Sequence, residues 1–228
     1  LSRVVIIGML TAASVCMAIF AFEVFLWVSN NPWGSYRGYL DTIEGADFRR
    51  KWEVVADLNG SGRQAVVSAH PMRIKPPLTG EDGKPLLPLG GVSNVLTVLC
   101  NETGRYVKFF SDKYGFNNPQ GIWSEKIKIV AVGDSFTQGV CPPPEKHTIS
   151  LIRGVYPNII NLASVASGPV AYFAALAEYG PALRPAVVLW FHFEGNDLRE
   201  LNDGLKWRVI SRYAHEKNFT QNLLGRQV

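Results

Sequence analysis

Three short runs of apolar and β-branched residues, separated by stretches of helical character, constrain the fold of this chain most. The runs are residues 126–132 (KIKIVAV), 158–163 (NIINLA) and 186–193 (AVVLWFHF). Between them, TISLIRGVY and the alanine-rich PVAYFAALAEYGPAL place apolar residues at helical spacing. Strands that alternate with helices predict a parallel sheet and an α/β fold. Because the third run is apolar on both faces, we predict that it lies in the middle of the sheet, between two layers of helices.

Small or polar residues follow each of these runs. They are GDS at residues 133–135, ASVASG at 163–168 and EGND at 194–197. Ligands of parallel sheets bind outside the carboxyl ends of the strands, so we expect the three loops to converge on one edge. A serine hydroxyl, flexible backbone and the Asn196 carboxamide would then meet. These groups suit acyl transfer, in which Ser135 attacks a carbonyl and N–H groups bind the resulting oxyanion.

The motif GDSFTQG, with GND downstream, resembles the SGNH (GDSL) hydrolase superfamily. The resemblance extends from Lys126 to about Leu201, and the flanking SDKYGFNNPQG and NFTQNLLGRQ are similar to membrane-anchored bacterial members. It implies a flavodoxin-like three-layer α/β/α sandwich. It also implies an esterase, lipase, or carbohydrate O-acyltransferase or deacetylase. We expect no cofactor and no metal.

The resemblance also assigns roles to individual residues. Ser135 would be the nucleophile and its own N–H an oxyanion donor, while Asn196 would be the side-chain donor. The position of the family's second-block glycine falls on Ala166, whose N–H would be the third donor, and Gly168 is the nearest glycine. Glu194 stands where the third block has glycine, and its carboxylate could repel acidic substrates or bind a sugar hydroxyl. Asp134 and Asp197 would support the site, and Asp134 would hold the turn through its own hydrogen bonds.

The general base is missing from this pattern. The family carries an Asp-x-x-His motif near its C-terminus, and here no aspartate is followed three positions later by histidine. A structural role explains each of the four histidines, which are His70, His147, His192 and His215. Of these, His192 ends the third predicted strand. We therefore expect the dyad to lie beyond Val228. The hydrolase-like domain would then be incomplete at its C-terminus and inactive alone.

Two functions agree with these residues. The first is a membrane-tethered serine ester hydrolase, or an O-acyltransferase with the same site, acting on acylated carbohydrate. The second is a membrane-anchored binding protein with a degenerate site, suggested by Ala166, Glu194 and the missing dyad. A phosphate-binding loop is disfavoured because no Gly-Lys-Ser/Thr follows the first strand. An α/β-hydrolase elbow is disfavoured because Thr137 replaces the second glycine of G-x-S-x-G.

The N-terminal segment is apolar enough to cross a membrane. No charge occurs from Val4 to Phe22, and only Glu23 interrupts the apolar run before Val28. A cleaved signal peptide is the alternative, but the run is long and no small-x-small cleavage site follows it. We predict a single-pass transmembrane anchor at residues 1–29, a linker and β-rich region at 30–122, and the α/β domain at 123–228. By resemblance, the soluble part would be periplasmic or otherwise extracytoplasmic.

The β-rich region carries four further predictions. WEVVADL and RQAVVSAHPMRI are interpreted as strands, and VLTVLC and RYVKFF as a hairpin. The proline- and glycine-rich KPPLTGEDGKPLLPLGG is interpreted as a loop or an extended surface layer.

Charge and cysteine content limit the partners. The net charge is +4 and no block of like charges occurs, which argues against nucleic-acid binding. Cys100 and Cys141 could pair outside the cytoplasm, but we favour isolated buried thiols. The spacing of the three cysteines does not indicate a metal site.

Overall fold

The computed structural model describes residues 3–29, 39–68, 70, 78–80 and 83–226. It divides into two compact units, Leu1–Ala46 and Asp47–Val228. In the first unit, helix α1 spans Arg3–Ser29, and its segment Val5–Ser29 is long and apolar enough to cross a membrane. The first unit therefore contains a helix that can serve as a membrane span or a signal sequence. Part of the predicted linker, residues 30–38, lies outside the described residues.

The second unit begins with a helix where a strand was predicted. Helix α2 spans Lys51–Gly60 and covers WEVVADL, so the strand prediction is wrong there. The valines of this segment favour a strand, but Glu53 accepts a hydrogen bond from the Arg50 N–H at 2.5 Å and caps the first helical turn. Strand β1 follows at Ala65–Val67, which is the described strand part of RQAVVSAHPMRI.

Four more short strands complete the region before the α/β part. They are β2 (Leu78–Thr79), β3 (Pro85–Leu86), β4 (Leu96–Val98) and β5 (Lys108–Phe110). Strands β4 and β5 pair antiparallel, which confirms the predicted hairpin, and β1 joins β4 in parallel. Strands β2 and β3 pair separately. The described part of the proline- and glycine-rich segment contains β2 and β3, and it is not a surface layer, because three of its leucines are buried in the main core: Leu86, Leu87 and Leu89.

The remaining chain alternates strands and helices, as predicted, after a 3₁₀ turn at Ile122–Ser124. The strands are β6 (Ile129–Val132), β7 (Ile159–Asn161) and β8 (Val187–Trp190). The helices are α3 (Ser135–Gln138), α4 (Thr148–Val155), α5 (Pro169–Leu183), α6 (Asp197–Lys206) and α7 (Ile210–His215). The architecture is therefore α/β.

The three strands form a parallel sheet in the order β7-β6-β8. Strand β6 is central, and the prediction that the third run lies in the middle is wrong for the described residues. In β8, Val187, Val188 and Trp190 are each more than 40% exposed. The apolar pattern of β8 is that of a covered strand, but pattern alone does not fix how many neighbours a strand has.

Helices contact both faces of β6. Val130 and Val132 belong to the main core with residues of α5. On the opposite face, Ala131 clusters with Ile149 of α4 and Ile159 of β7. This alternation fixes the register of the strand and thus the direction in which the chain leaves its carboxyl end.

A disulfide joins the two parts of the second unit. Cys100 and Cys141 are bonded, with Cα atoms 5.4 Å apart, so the preference for free thiols is corrected. The pairing brings together residues that are 41 positions apart, which sequence spacing cannot reveal. Next to the bond, Val140 packs against a small cluster formed by Leu99, Val107 and Phe109. The loop that follows α3 is thereby held against the hairpin.

Candidate active site

The turn after β6 carries the predicted nucleophile. Asp134 caps α3, with its Oδ1 accepting a hydrogen bond from the Phe136 N–H at 2.9 Å. Gly133 is needed for close packing, because a Cβ there would lie 2.2 Å from Thr137 Oγ1. Ser135 is partly buried, and its hydroxyl makes no hydrogen bond to any residue that the structure describes. Its N–H lies in the first turn of a helix, where backbone donors lack intrahelical partners.

Buried asparagine side chains fix this turn through hydrogen bonds. Asn161, at the end of β7, donates from Nδ2 to the Thr137 carbonyl at 2.9 Å. Asn118 in turn accepts from the Asn161 N–H and donates to the Asn161 carbonyl, each at 2.8 Å. The Asn118 Nδ2 also donates to Asp112 Oδ2 at 2.8 Å. The FNNP segment and the end of β7 thus fix α3 through side-chain hydrogen bonds.

The loop after β7 approaches the same turn. Ser167 Oγ donates to the Gly133 carbonyl at 3.3 Å. Ala166 has a φ of +52°, in the left-handed region that favours glycine. Gly168 packs against α6 so closely that a Cβ there would lie 2.6 Å from Glu200 Cβ. The loop after β7 thus contacts both the turn of Ser135 and the helix of Asn196.

The loop after β8 brings the predicted side-chain donor. Asn196 immediately precedes α6, and its Nδ2 donates to Glu200 Oε1 at 3.2 Å and reaches Asp134 Oδ2 at 3.5 Å. Its Oδ1 is buried and has no partner among the described residues. The three loops therefore meet at one sheet edge, with Asn196 beside the Asp134–Ser135 turn.

Glu200 was missed by the sequence analysis. It lies four residues after Asn196, a spacing that places both side chains on one face of a helix and could have indicated the contact. Its Oε1 accepts the hydrogen bond from Asn196, and its Oε2 is buried without a partner among the described residues. Glu200 is thus a member of the site.

Two carboxyl groups of the site, those of Asp134 and Glu200, have a raised pKa. Burial raises the pKa of Asp134, and the charge of Asp197 adds to the effect against hydrogen bonds that oppose it. Burial also raises the pKa of Glu200, followed by repulsion from Asp134 and Asp197. Crowded carboxylates raise one another's pKa because their negative charges repel.

Asp197 anchors the start of α6. It is fully buried, and its carboxylate accepts hydrogen bonds from the Tyr172 hydroxyl at 2.9 Å and the Phe193 N–H at 3.0 Å. The same carboxylate lies 2.7 Å from Nδ1 of His192, which is half exposed. A buried carboxylate next to an imidazole is typical of a histidine base, and no sequence motif indicated this pair.

The other histidines have different surroundings. His147 is buried and caps α4 by accepting from the Ser150 N–H at 3.3 Å, and its Nε2 lies 2.9 Å from Ser150 Oγ. Burial lowers the pKa of His147, with a smaller effect from Arg153. His215 is exposed at the end of α7, and His70 is flanked by residues outside the described ranges.

Two exposed aromatic rings border the site. Phe136 follows Ser135 directly, and its ring centroid lies 4.9 Å from that of Phe193. Phe193 in turn packs on Gly195, where a Cβ would lie 2.7 Å from the ring. Glu194 is exposed next to this pair. An apolar surface therefore extends from the serine turn to the Asn196 loop.

Comparisons with protein-family models, curated proteins and solved structures give no match for this chain. Among the described residues, no group of three or more histidine, cysteine, aspartate or glutamate side chains could hold a metal ion. Chemically, the described site offers a hydroxyl nucleophile and amide donors. Just after β8, the His192 imidazole lies 2.7 Å from the carboxylate of Asp197, the residue after Asn196.

Proposed function

We propose that this protein is a membrane-tethered serine ester hydrolase, or an O-acyltransferase that uses the same site, and that it acts on acylated carbohydrate. The observation that carries the proposal is the position of Asn196 Nδ2, 3.5 Å from Asp134 Oδ2 and so beside the turn of Ser135. The parallel order β7-β6-β8 supports a flavodoxin-like sandwich. The GDSFTQG and GND motifs support a place in the SGNH superfamily.

The chemistry follows from these groups. Ser135 Oγ attacks the ester carbonyl and gives its proton to a general base. The oxyanion accepts hydrogen bonds from the N–H groups of Ser135 and Ala166 and from Asn196 Nδ2, each contributing about 3 kcal/mol in comparable sites. The tetrahedral intermediate then expels the alcohol and leaves an acyl-enzyme. Water completes hydrolysis, whereas a sugar hydroxyl completes transfer.

The base must be an imidazole or a group of similar pKa, because a serine hydroxyl is a weak nucleophile without one. Of the described histidines, His192 carries a carboxylate partner, Asp197, at hydrogen-bonding distance. Its Nε2 is the nitrogen left to accept a proton. We therefore include His192 in the proposal as the candidate base within the described residues.

Localisation outside the cytoplasm is part of the proposal. The disulfide between Cys100 and Cys141 suits an oxidising compartment. An N-terminal helix that spans the membrane would tether the protein to it.

A non-catalytic binding protein is the second candidate. It is favoured by one observation, that no described imidazole is hydrogen-bonded to the Ser135 hydroxyl. In that case the same loops would bind an acylated sugar without cleaving it.

Turnover of acylated sugars by the full-length protein separates the two candidates. We expect the wild-type protein to release the acyl group and Ser135→Ala to lose this activity. His192→Gln tests the base: loss of turnover there assigns the role to His192, and retained turnover assigns it to another imidazole. Binding of the acylated sugar without turnover in the wild type would establish the non-catalytic function instead.

A further inference from the structure

The carboxamide of Asn196 needs a fixed orientation if it is to bind an oxyanion. A terminal carboxamide rotates freely about its last bond, and only its NH₂ end can donate. In the structure this end is held by two carboxyl groups, Glu200 Oε1 at 3.2 Å and Asp134 Oδ2 at 3.5 Å. The two contacts differ in strength, because 3.5 Å is at the limit of a hydrogen bond.

We propose that Glu200 is a positioning residue that holds one N–H of Asn196 and thereby aims the other N–H at the reacting carbonyl beside Ser135. The inference rests on the proposed function, because it assigns Asn196 the oxyanion role. When a substrate carbonyl enters, the long contact to Asp134 is released and the contact to Glu200 is kept.

Helix geometry supports this role. Asn196 and Glu200 are joined through the backbone as well, since the Glu200 N–H donates to the Asn196 carbonyl at 2.9 Å. On its other side, the Cβ and backbone of Glu200 lie against Gly168, where an added Cβ would come within 2.6 Å of Glu200 Cβ. This close packing fixes the start of the side chain that holds Asn196.

The charges around Glu200 show which substitutions test its role. The charged groups that act on Glu200 are Asp134, Asp197, Asp203 and Arg199. Three of these four are negative, and burial followed by their repulsion raises the pKa of Glu200. A carboxyl group accepts a hydrogen bond through an oxygen whether it is ionised or protonated. Glutamine offers the same acceptor, which makes Glu200→Gln a conservative replacement and Glu200→Ala a disruptive one.

The kinetic test uses the full chain in detergent micelles and the rate at which a fluorophosphonate labels Ser135. We expect Asn196→Ala to slow labelling by about 100-fold, Glu200→Ala by about tenfold or more, and Glu200→Gln to stay near wild type. The double variant should be no slower than Asn196→Ala alone, because Glu200 acts through Asn196. Glu216→Gln is the control and should label at the wild-type rate, because Glu216 is an exposed acid paired with Arg212 and is not among the charges that act on Glu200. If the double variant is labelled more slowly than Asn196→Ala, by the product of the two single reductions in rate, the proposal is overturned.

A second measurement needs no activity. In ¹⁵N-resolved NMR spectra, the side-chain NH₂ signals of Asn196 should differ from those of a free carboxamide in the wild type and in Glu200→Gln. In Glu200→Ala they should shift toward the free values. Unchanged signals in Glu200→Ala would overturn the positioning role. A third outcome separates the two proposals. If the Asn196 signals shift in Glu200→Ala as expected but the fluorophosphonate does not label the wild-type protein, the hydrolase function is rejected and the contact that orients Asn196 is retained.

Discussion

At the scale of single residues, backbone conformation and close packing decide what the site tolerates. Ala166 and Gly168 lie in the same loop, and only Gly168 is the residue that its position favours. Ala166 occupies a left-handed conformation, whereas Gly168 leaves no space for a side chain. Opposite substitutions at the two positions should therefore have opposite effects on stability.

Replacing Ala166 with glycine should stabilise the protein by about 1 kcal/mol, because a non-glycine residue at positive φ is strained. Chemical denaturation of the wild type and the variant measures the difference. Ala186→Gly is the control, since Ala186 is exposed and is not among the residues with positive φ. If Ala166→Gly lowers the free energy of unfolding as much as Ala186→Gly does, the backbone at residue 166 is not strained.

Gly168→Ala should destabilise the protein by about 1–3 kcal/mol, because the added methyl overlaps Glu200 and forces α6 away. The shift should also slow labelling of Ser135 by displacing Asn196. Gly154→Ala is the matched control within α4, where a Cβ meets nothing within 4 Å. That control should be neutral or slightly stabilising. Equal thermal stability of the two variants would refute the close contact.

The raised pKa of Glu200 predicts a pH-dependent difference between wild type and Glu200→Gln. Below the ordinary pKa, Glu200 is protonated in both the folded and unfolded states. As pH rises through the ordinary pKa toward the raised one, only the unfolded state ionises, so the wild type loses stability and the glutamine variant does not. The stability advantage of Glu200→Gln should therefore grow with pH from about 4.5 upward and then level off.

Glu216→Gln provides a control of opposite sign, because the hydrogen bond from Arg212 lowers the pKa of Glu216. The ionised Glu216 favours folding above its ordinary pKa, so removing it should cost stability at neutral pH but not in strong acid. Denaturation curves from pH 3 to pH 8 measure both variants. Parallel pH profiles for the two variants would contradict the assignment at Glu200.

At the scale of elements, what could be predicted depends on whether the signal is local. The helices α4 and α5 were predicted because their apolar spacing is helical over many residues. The α2 segment was assigned as a strand from its valines, although the Glu53 capping signal was already in the sequence. The disulfide and the burial of Leu86 were not predictable, because both depend on residues distant in sequence.

Breaking the Cys100–Cys141 disulfide should destabilise the second unit by about 2–4 kcal/mol, because the bond closes a long loop of the unfolded chain. It should also slow labelling of Ser135, since the tethered loop follows α3. Cys100→Ser with Cys141→Ser is compared with Cys16→Ser, whose thiol is free in α1. In the wild type and in Cys16→Ser, the denaturation midpoint should be lower with reductant than without it. In the double serine variant, reductant should not change the midpoint. A reductant effect that persists in the double serine variant would contradict the prediction.

At the scale of the whole molecule, the parallel sheet explains why the loops of Ser135 and Asn196 could be predicted from sequence to lie close together, whereas the packing of Glu200 could not. The convergence of strand ends follows from topology, which the alternation of strands and helices predicts. The contact between Glu200 and Gly168 depends on how α6 packs against the preceding loop. The same limit applies to β8, whose neighbours in the sheet depend on the whole topology and not on its own residues.

Labelling of Ser135 by a fluorophosphonate in the membrane-inserted, full-length protein tests the central claim most directly. We expect mass spectrometry to locate the adduct on Ser135, with labelling abolished in Ser135→Ala and slowed by about 100-fold in Asn196→Ala. Wild-type protein that folds and keeps its disulfide but takes up no label at Ser135 would contradict the account.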